Sequence, residues 1–234
     1  MPTLAHSTPN ALPVSTALRG KLLNIFVSPG EVFEEIVASP PKPACWLVPT
    51  LFVCLTAIIA LLVVPVRESQ AAEVRQLAES GAIDSSDTGK LSSRLLPAAA
   101  LTVATSAVAG TFWSAFVLWF IGRMFLKSSF PFLKTVEVVG VTGMILALGT
   151  IVTGLLIAAT GDAAARPALS IFVGQSNPGN KVYSGLEAMN FFHLWAATVL
   201  AIGLSKLARV SFSETAFWVL GYWVALRVAL LWFA

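Results

Sequence analysis

The chain has 234 residues, of which 56% are hydrophobic and only 12% are charged. A soluble domain is typically about 25% charged, so this composition excludes a soluble protein covered by polar groups. The net charge of +3 and the lack of a continuous basic stripe exclude a nucleic-acid-binding protein. The apolar residues instead form long blocks, each near the ~20 residues that a helix needs to cross a bilayer. Because a helix bonds its own backbone groups, these blocks predict an α-helical membrane protein.

The first part of the chain is predicted to stay outside the lipid core. Residues 1–17 are rich in Pro, Ser and Thr and are predicted to be disordered. Residues 18–43 form an amphipathic segment, which we expect to lie on the membrane surface with its apolar side in the interface. Alternatively, this segment tucks under the bundle as a plug. The apolar residues that suit interfacial docking are Leu22, Leu23, Ile25, Phe26, Val32 and Phe33.

A helix start is predicted within this segment, at Ser28. The Ser28 side chain is expected to cap the helix while Glu31, three residues later, bonds back to it. Pro29 suits the first helical position, where no N–H donor is needed. Val27 and Val32 are expected to pack together across this start as a hydrophobic staple.

Five apolar blocks are predicted to span the membrane and to form a single domain, residues 44–234. The spans are residues 44–66, 95–121, 135–159, 189–207 and 215–234. The connections are a polar loop at 67–94 with a short helix around 71–78, a basic turn at 122–134, and a Gly/Asn/Pro loop at 160–188. The predicted fold is therefore an all-α, polytopic membrane bundle of about five transmembrane helices with an amphipathic helix at its N-terminus.

The distribution of Lys and Arg predicts the orientation. Eight of these residues flank the spans on the side of the N-terminus, and six lie on the other side. The two short loops carry basic residues on the N-terminal side, and short loops are where the positive-inside rule applies best. We therefore expect a cytoplasmic N-terminus and an external C-terminus.

The second span carries small residues at every fourth position, which places them on one helix face. Such a face lets two membrane helices approach closely. The expected contact is with glycines of the third span, and the alternative is a face between two copies of the chain. The residues predicted to take part in helix packing are Thr102, Ser106, Gly110 and Ser114 in the second span and Gly140 and Gly143 in the third.

Ionisable residues in or beside the spans are candidates for function. Arg227 is expected to reach outward, or to pair with Glu187 or a backbone carbonyl at the outer side, at the same level as His193. Glu137 is expected near Lys134 and within reach of basic residues such as Arg123, Lys206 or Arg209. Because no acidic residue lies near the middle of a span, we interpret these residues as polar anchors at the two interfaces rather than as a proton or ion path. The candidate anchors are Arg123, Lys134, Glu137, Glu187, His193 and Arg227.

Signatures of enzymes are lacking in the sequence. It contains no His-Glu-x-x-His, no Gly-x-Ser-x-Gly and no phosphate-binding loop. The paired glutamates Glu34 and Glu35 lie outside the predicted spans, and the Arg that intramembrane CAAX-type proteases carry four residues later is replaced by Ser39. We therefore expect no catalytic residue, no metal site, no cofactor and no enzymatic activity.

Short sequence pieces from residue 25 to residue 233 occur in a characteristic order. They are residues 26–33 (FVSPGEVF), 46–49 (WLVP), 129–130 (SF) with Lys134 and 138–140 (VVG), 190–195 (NFFHLW) and 202–205 (IGLS). In this order and spacing the chain resembles the Yip (Ypt-interacting protein) family, in its short prokaryotic-type form. The resemblance implies five spans, an inside N-terminus and, in eukaryotic members, vesicle trafficking with Rab-type GTPases. It supplies no catalytic residues.

The chain departs from the eukaryotic pattern of that family. The long cytosolic N-terminus and the Asp-Leu-Tyr-Gly-Pro motif are missing, which puts a Rab partnership in doubt and favours a prokaryotic inner membrane. The expected function is a non-enzymatic scaffold or adaptor that binds membrane lipids, other membrane proteins or further copies of itself. The alternative is a small transporter or channel, which needs a wet polar path through the bundle, whereas a dry centre packed with Leu and Ala favours the scaffold.

Overall fold

The computed structural model describes residues 17–63, 88–162, 165–173 and 181–233. The disorder predicted for the N-terminus and the short helix predicted around 71–78 lie outside these ranges, apart from residue 17. The helices are α1 (Leu18–Asn24), α2 (Pro29–Ala38), α3 (Ala44–Val63), α4 (Thr88–Met124), α5 (Phe132–Thr160), α6 (Lys181–Ala188), α7 (Phe191–Ala208) and α8 (Phe212–Phe233), with a 3₁₀ turn at Leu169–Phe172 between α5 and α6.

Five of the described helices, α3, α4, α5, α7 and α8, are long and apolar enough to cross a membrane. This confirms the predicted all-α bundle of five spans. The boundaries follow local chemistry: α5 begins directly after Pro131, which has no N–H to donate. It ends at Gly161, whose positive φ of 70° provides the left-handed residue that terminates many helices.

The start of α2 differs from the sequence expectation. Pro29 does occupy the first helical position and Ser28 precedes it, but the Ser28 side chain makes no capping hydrogen bond. Its backbone N–H instead donates to Asn24 O at 2.7 Å, which ties α2 to the end of α1. Val27 is 84% exposed in this turn, so it does not pack on Val32. The predicted capping box and hydrophobic staple are therefore both wrong.

The apolar side of α2 packs against the bundle. Val32, Phe33 and Ile36 are fully buried and belong to the main hydrophobic cluster, and α2 lies mainly against α7 and also contacts α5. The side chain of Phe33 comes within van der Waals contact of the position that a Cβ would take at Gly203. Val32 and Phe33, which were expected at the membrane interface, are therefore buried in the bundle, as in the alternative in which the segment tucks under it, whereas Leu23 is 66% exposed.

The connection between the third and fourth spans is more ordered than the predicted Gly/Asn/Pro loop. It contains the 3₁₀ turn and α6, and an isolated bridge pairs Ala168 with Asn190. The Phe191 N–H donates to Pro167 O at 3.0 Å. These bonds bring the segment around the 3₁₀ turn against the start of α7 and satisfy backbone groups that would otherwise be costly beside lipid.

The third span, α5, lies at the centre of the bundle and packs against α3, α4 and α7. A Cβ at Gly140 would lie 2.4 Å from Cα of Trp46, and one at Gly143 would lie 3.5 Å from Val53. Gly140 and Gly143 therefore face the first span rather than the second, which the sequence predicted as their partner. The centre is aliphatic, and its fully buried members include Val136, Val138, Val141, Ile145, Val199 and Leu204.

Candidate functional site

A buried ion pair lies where α2 meets the first turns of α5. Lys134 and Glu137 are three residues apart on α5, so their side chains lie on neighbouring positions of one face. Lys134 Nζ is 2.7 Å from Glu137 Oε2 and also donates to Ile36 O at 2.6 Å. The backbone N–H of Lys42 donates to Glu137 Oε1. Lys134 is only 6% exposed and Glu137 only 2%.

We call this group, Lys134 and Glu137 with the Ile36 carbonyl and the Lys42 amide, the N-terminal latch. The last carbonyls of a helix lack partners within the helix, and a cation there is favourable. Lys134 fills both needs at the end of α2, while Glu137 holds the segment that leads into α3. Both carboxylate oxygens of Glu137 and the ammonium of Lys134 are bonded inside the protein. The latch therefore joins α2, the segment after it and α5.

Two further ion pairs connect the same region and were not predicted. Lys206 Nζ lies 2.5 Å from Glu34 Oε1, and Lys21 Nζ lies 3.5 Å from Glu35 Oε2. The sequence placed both glutamates outside the predicted spans but did not identify their partners, and Lys206 is 172 positions away from Glu34. Lys206 therefore has a different partner from the expected Glu137.

Arg123 also has other partners than Glu137. Its guanidinium donates to Ser129 Oγ at 3.0 Å, and its Cζ lies 5.4 Å from the ring centre of Trp119. Arg123 is exposed at the end of α4, near the turn into α5. This placement suits an anchor beside the membrane, because the cation is stacked on an aromatic ring at the end of a span.

At the opposite end of the bundle, the structure brings together His193 of α7 and Arg227 of α8. Arg227 Nη2 lies 3.1 Å from His193 Nδ1, and Arg227 Cζ lies 5.6 Å from the ring centre of Trp223. A guanidinium only donates, so Nδ1 must accept and the proton of the neutral imidazole is on Nε2. Glu187 is half-buried in α6 and is not among the contacts of Arg227, so the pair with Glu187, one of the alternatives for Arg227, does not form.

The small-residue stripe of α4 faces away from the rest of the described chain. A Cβ at Gly110 would meet nothing within 4 Å, and Thr102 and Ser106 are exposed, while Ser114 is half-buried. The preferred expectation, packing of this stripe against another span of the same chain, is therefore wrong at Gly110. The helix packs inward through another face, which contains Ala115, Leu118 and Ile121.

The comparisons agree with this architecture. Within the described residues, no three His, Cys, Asp or Glu side chains are placed to hold a metal ion together. No curated protein and no solved structure gives a significant match to the chain. The Yip1 domain matches residues 23–234, which include α2, the latch and all five candidate spans. The chain therefore belongs to the Yip1 domain family and is an integral membrane protein.

Proposed function

We propose that this protein is a non-enzymatic scaffold or adaptor, which holds other membrane proteins or lipids beside its bundle. The observation that carries this proposal is the contrast between the centre and the periphery. The centre is packed with aliphatic side chains, while the second and fifth spans turn most of their surface outward. In the most apolar stretch of each helix, only 17% is buried in α4 and 11% in α8, against 56% in α7.

The outward surface of α4 offers two features that suit lateral contacts. The stripe around Gly110 is narrow enough for a second helix to approach closely. Toward the end of the same helix, Trp113, Phe116 and Phe120 are exposed and form a row of aromatic rings. Small residues for close approach and aromatic rings for contact area are both useful to a protein that binds its neighbours within the membrane.

The aliphatic centre supports a scaffold over the alternative of a transporter or channel. A transport path needs polar groups or backbone carbonyls that line a wet cavity. The residues at the middle of α5 and α7, such as Ile145 and Val199, are fully buried and apolar. The buried carboxylate of Glu137 lies at one end of the bundle and is bonded on both oxygens, which suits a structural part better than a moving proton.

The proposed location is a prokaryotic inner membrane, with the N-terminus in the cytoplasm and the C-terminus outside. The distribution of basic residues supports this orientation: Arg123, Lys127 and Arg209 are exposed at the ends of spans on the side of α1 and α2. Cationic side chains in short connections favour the cytoplasmic side.

Site-specific photocrosslinking in native membranes tests the proposal. A photoreactive residue at Ser106, on the stripe, is expected to give adducts with proteins, either other membrane proteins or a second copy. The matched control carries the photoreactive residue in place of Leu155, which is also exposed but lies on α5. Adducts with lipid alone at both positions, together with ion or solute flux in liposomes above the protein-free level, would reject the scaffold in favour of transport.

A further inference from the structure

An apolar groove runs between the 3₁₀ turn and the last two spans. Its volume is about 610 Å³, which lies within the usual range of small-molecule sites, about 300–1,000 Å³. The 3₁₀ turn contributes Leu169 and Phe172 as one wall, and α7 contributes Phe191 and Leu194. The wall from α8 consists of Leu220, Trp223 and Val224. Phe172, Phe191 and Val224 are exposed, so the groove is open at the surface of the bundle, and its lining is apolar.

Arg227 follows the groove-lining residue Val224 of α8 by three positions and stacks on Trp223, which lines the groove. Leu220, Trp223, Val224 and Arg227 recur at helical spacing and share one face of α8. Trp223 touches both features, because it lines the groove and its ring is under the guanidinium of Arg227. The groove and the cation are thus continuous along α8.

The cation has no anionic partner within the described part of the chain. Its contacts are the neutral His193 ring and the Trp223 ring, and none of the ion pairs there includes Arg227. A charge at membrane depth is costly unless it is paired or reaches the interface. An anion that arrives from the membrane itself would supply the missing partner.

We infer that the groove binds an anionic phospholipid, with the phosphate at Arg227 and an acyl chain along Val224 and Leu220. The polarity is the correct one for a lipid, because Arg227 is nearer to the end of α8 and Leu220 is deeper in the span. The guanidinium matches a phosphate with two parallel donors. A helix from another protein would fill the groove but leave the cation unpaired. The site rests on this geometry and would hold for a transporter as well as for a scaffold.

Lipid retention by the purified full-length chain tests this site. Native mass spectrometry compares phosphatidylglycerol with phosphatidylcholine carrying the same acyl chains, after each is added to the protein in detergent. We expect the wild-type chain to retain phosphatidylglycerol preferentially. Arg227→Gln should lower that preference about tenfold, as expected when one charge-assisted contact is lost. Arg123→Gln is the matched control, since Arg123 also stacks on a tryptophan but lies at the other end of the bundle; its preference should be unchanged.

A second pair of variants tests the groove independently of the charge. Val224→Trp should fill the groove and reduce retention of both lipids, whereas Leu226→Trp, on another exposed face of α8, should leave retention unchanged. Equal retention of the two lipids by the wild-type chain, or full retention by Val224→Trp, would overturn the inference. Displacement of the lipid by excess inorganic phosphate would overturn the acyl-chain part, and conversion of a dimer to a monomer by Val224→Trp would assign the groove to a second copy. Protein adducts at Ser106 are independent of these results, so failure here is distinct from failure of the scaffold.

Discussion

At Gly140 the backbone of α5 comes so close to α3 that a Cβ would lie 2.4 Å from Cα of Trp46 and 3.3 Å from Cys45 O. Backbone atoms cannot rotate aside as a flexible side chain can. The crossing of the first and third spans therefore depends on the absence of a single carbon atom. At Gly110 the opposite holds, because no described residue lies within 4 Å of the position that a Cβ would take.

We expect Gly140→Ala to destabilise the bundle by about 1–3 kcal/mol, the range for overpacked cores. Gly143→Ala is the control, because its Cβ would lie 3.5 Å from Val53, an ordinary van der Waals distance. The measurement is the midpoint of unfolding in detergent. Equal midpoints for the two variants would show that α3 and α5 can move apart at this crossing without loss of stability.

Thr135 presents a different problem at the residue scale. It is fully buried, and its hydroxyl has no hydrogen-bond partner among the described residues. We expect Thr135→Val to stabilise the protein by about 1 kcal/mol, because the methyl group removes a buried unpaired polar atom. Thr142→Val is the control: its hydroxyl donates to Val138 O at 2.7 Å, so the same substitution should give no gain. A loss of stability with Thr135→Val would mean that this hydroxyl is bonded in the membrane.

At the scale of the elements, the latch decides where the N-terminal helices lie. The apolar side of α2 could bury its three apolar residues either in lipid or against the bundle, so hydrophobicity alone does not determine where α2 lies. Two hydrogen bonds fix the position of α2 against the bundle: the Lys134 ammonium donates to the last turn of α2, and the Lys42 amide donates to the Glu137 carboxylate. We therefore regard α1 and α2 as a part of the bundle rather than as a separate surface anchor.

Glu137→Met should destabilise the protein by about 3–5 kcal/mol, because it leaves Lys134 buried without its counter-charge. The reaction of Cys45 with a maleimide reports on the latch, since this buried thiol begins α3 and packs in the same cluster as α2. We expect faster labelling of Cys45 in this variant, with the deeper Cys54 as the internal reference.

The control for the latch is Glu34→Met, which removes an ion pair whose glutamate side chain is 62% exposed. Exposed pairs contribute about 0–1 kcal/mol, so stability and Cys45 labelling should stay close to wild type. The double variant Lys134→Met with Glu137→Met should recover much of the lost stability. If Glu137→Met folds and Cys45 reacts at the wild-type rate, the latch does not hold α2 in place.

The small-residue stripe of α4 is also a property of a whole element, because it forms one exposed face of the helix. Gly110→Leu should leave the unfolding midpoint unchanged, since a Cβ there would meet no described residue within 4 Å. It should reduce the yield of protein adducts at Ser106, because bulk there holds a neighbouring helix away. Phe116→Trp, on an already bulky exposed position, should change neither. An unchanged adduct yield with Gly110→Leu would show that the stripe faces lipid only.

At the scale of the whole molecule, the spans were predictable and their mutual arrangement was not. A block such as 135–159 identifies a span because its length and polarity are set by the bilayer, whatever its neighbours are. The direction of a helix face is set by partners distant in sequence, so the stripe around Gly110 and the glycines around Gly140 look alike but face different surroundings. The pair of Lys206 with Glu34 and the contact of Arg227 with His193 depend in the same way on how the helices are packed.

The number of spans decides whether the two termini lie on the same side of the membrane or on opposite sides, and labelling of single cysteines tests this directly. In a background of Cys45→Ala and Cys54→Ala, Ser7→Cys and Ala234→Cys are treated with a membrane-impermeant maleimide, in intact cells and in inverted membrane vesicles. With five spans and a cytoplasmic N-terminus, we expect Ala234→Cys to react in intact cells and Ser7→Cys to react only in inverted vesicles. Reaction of both cysteines from the same side would contradict the five-span bundle.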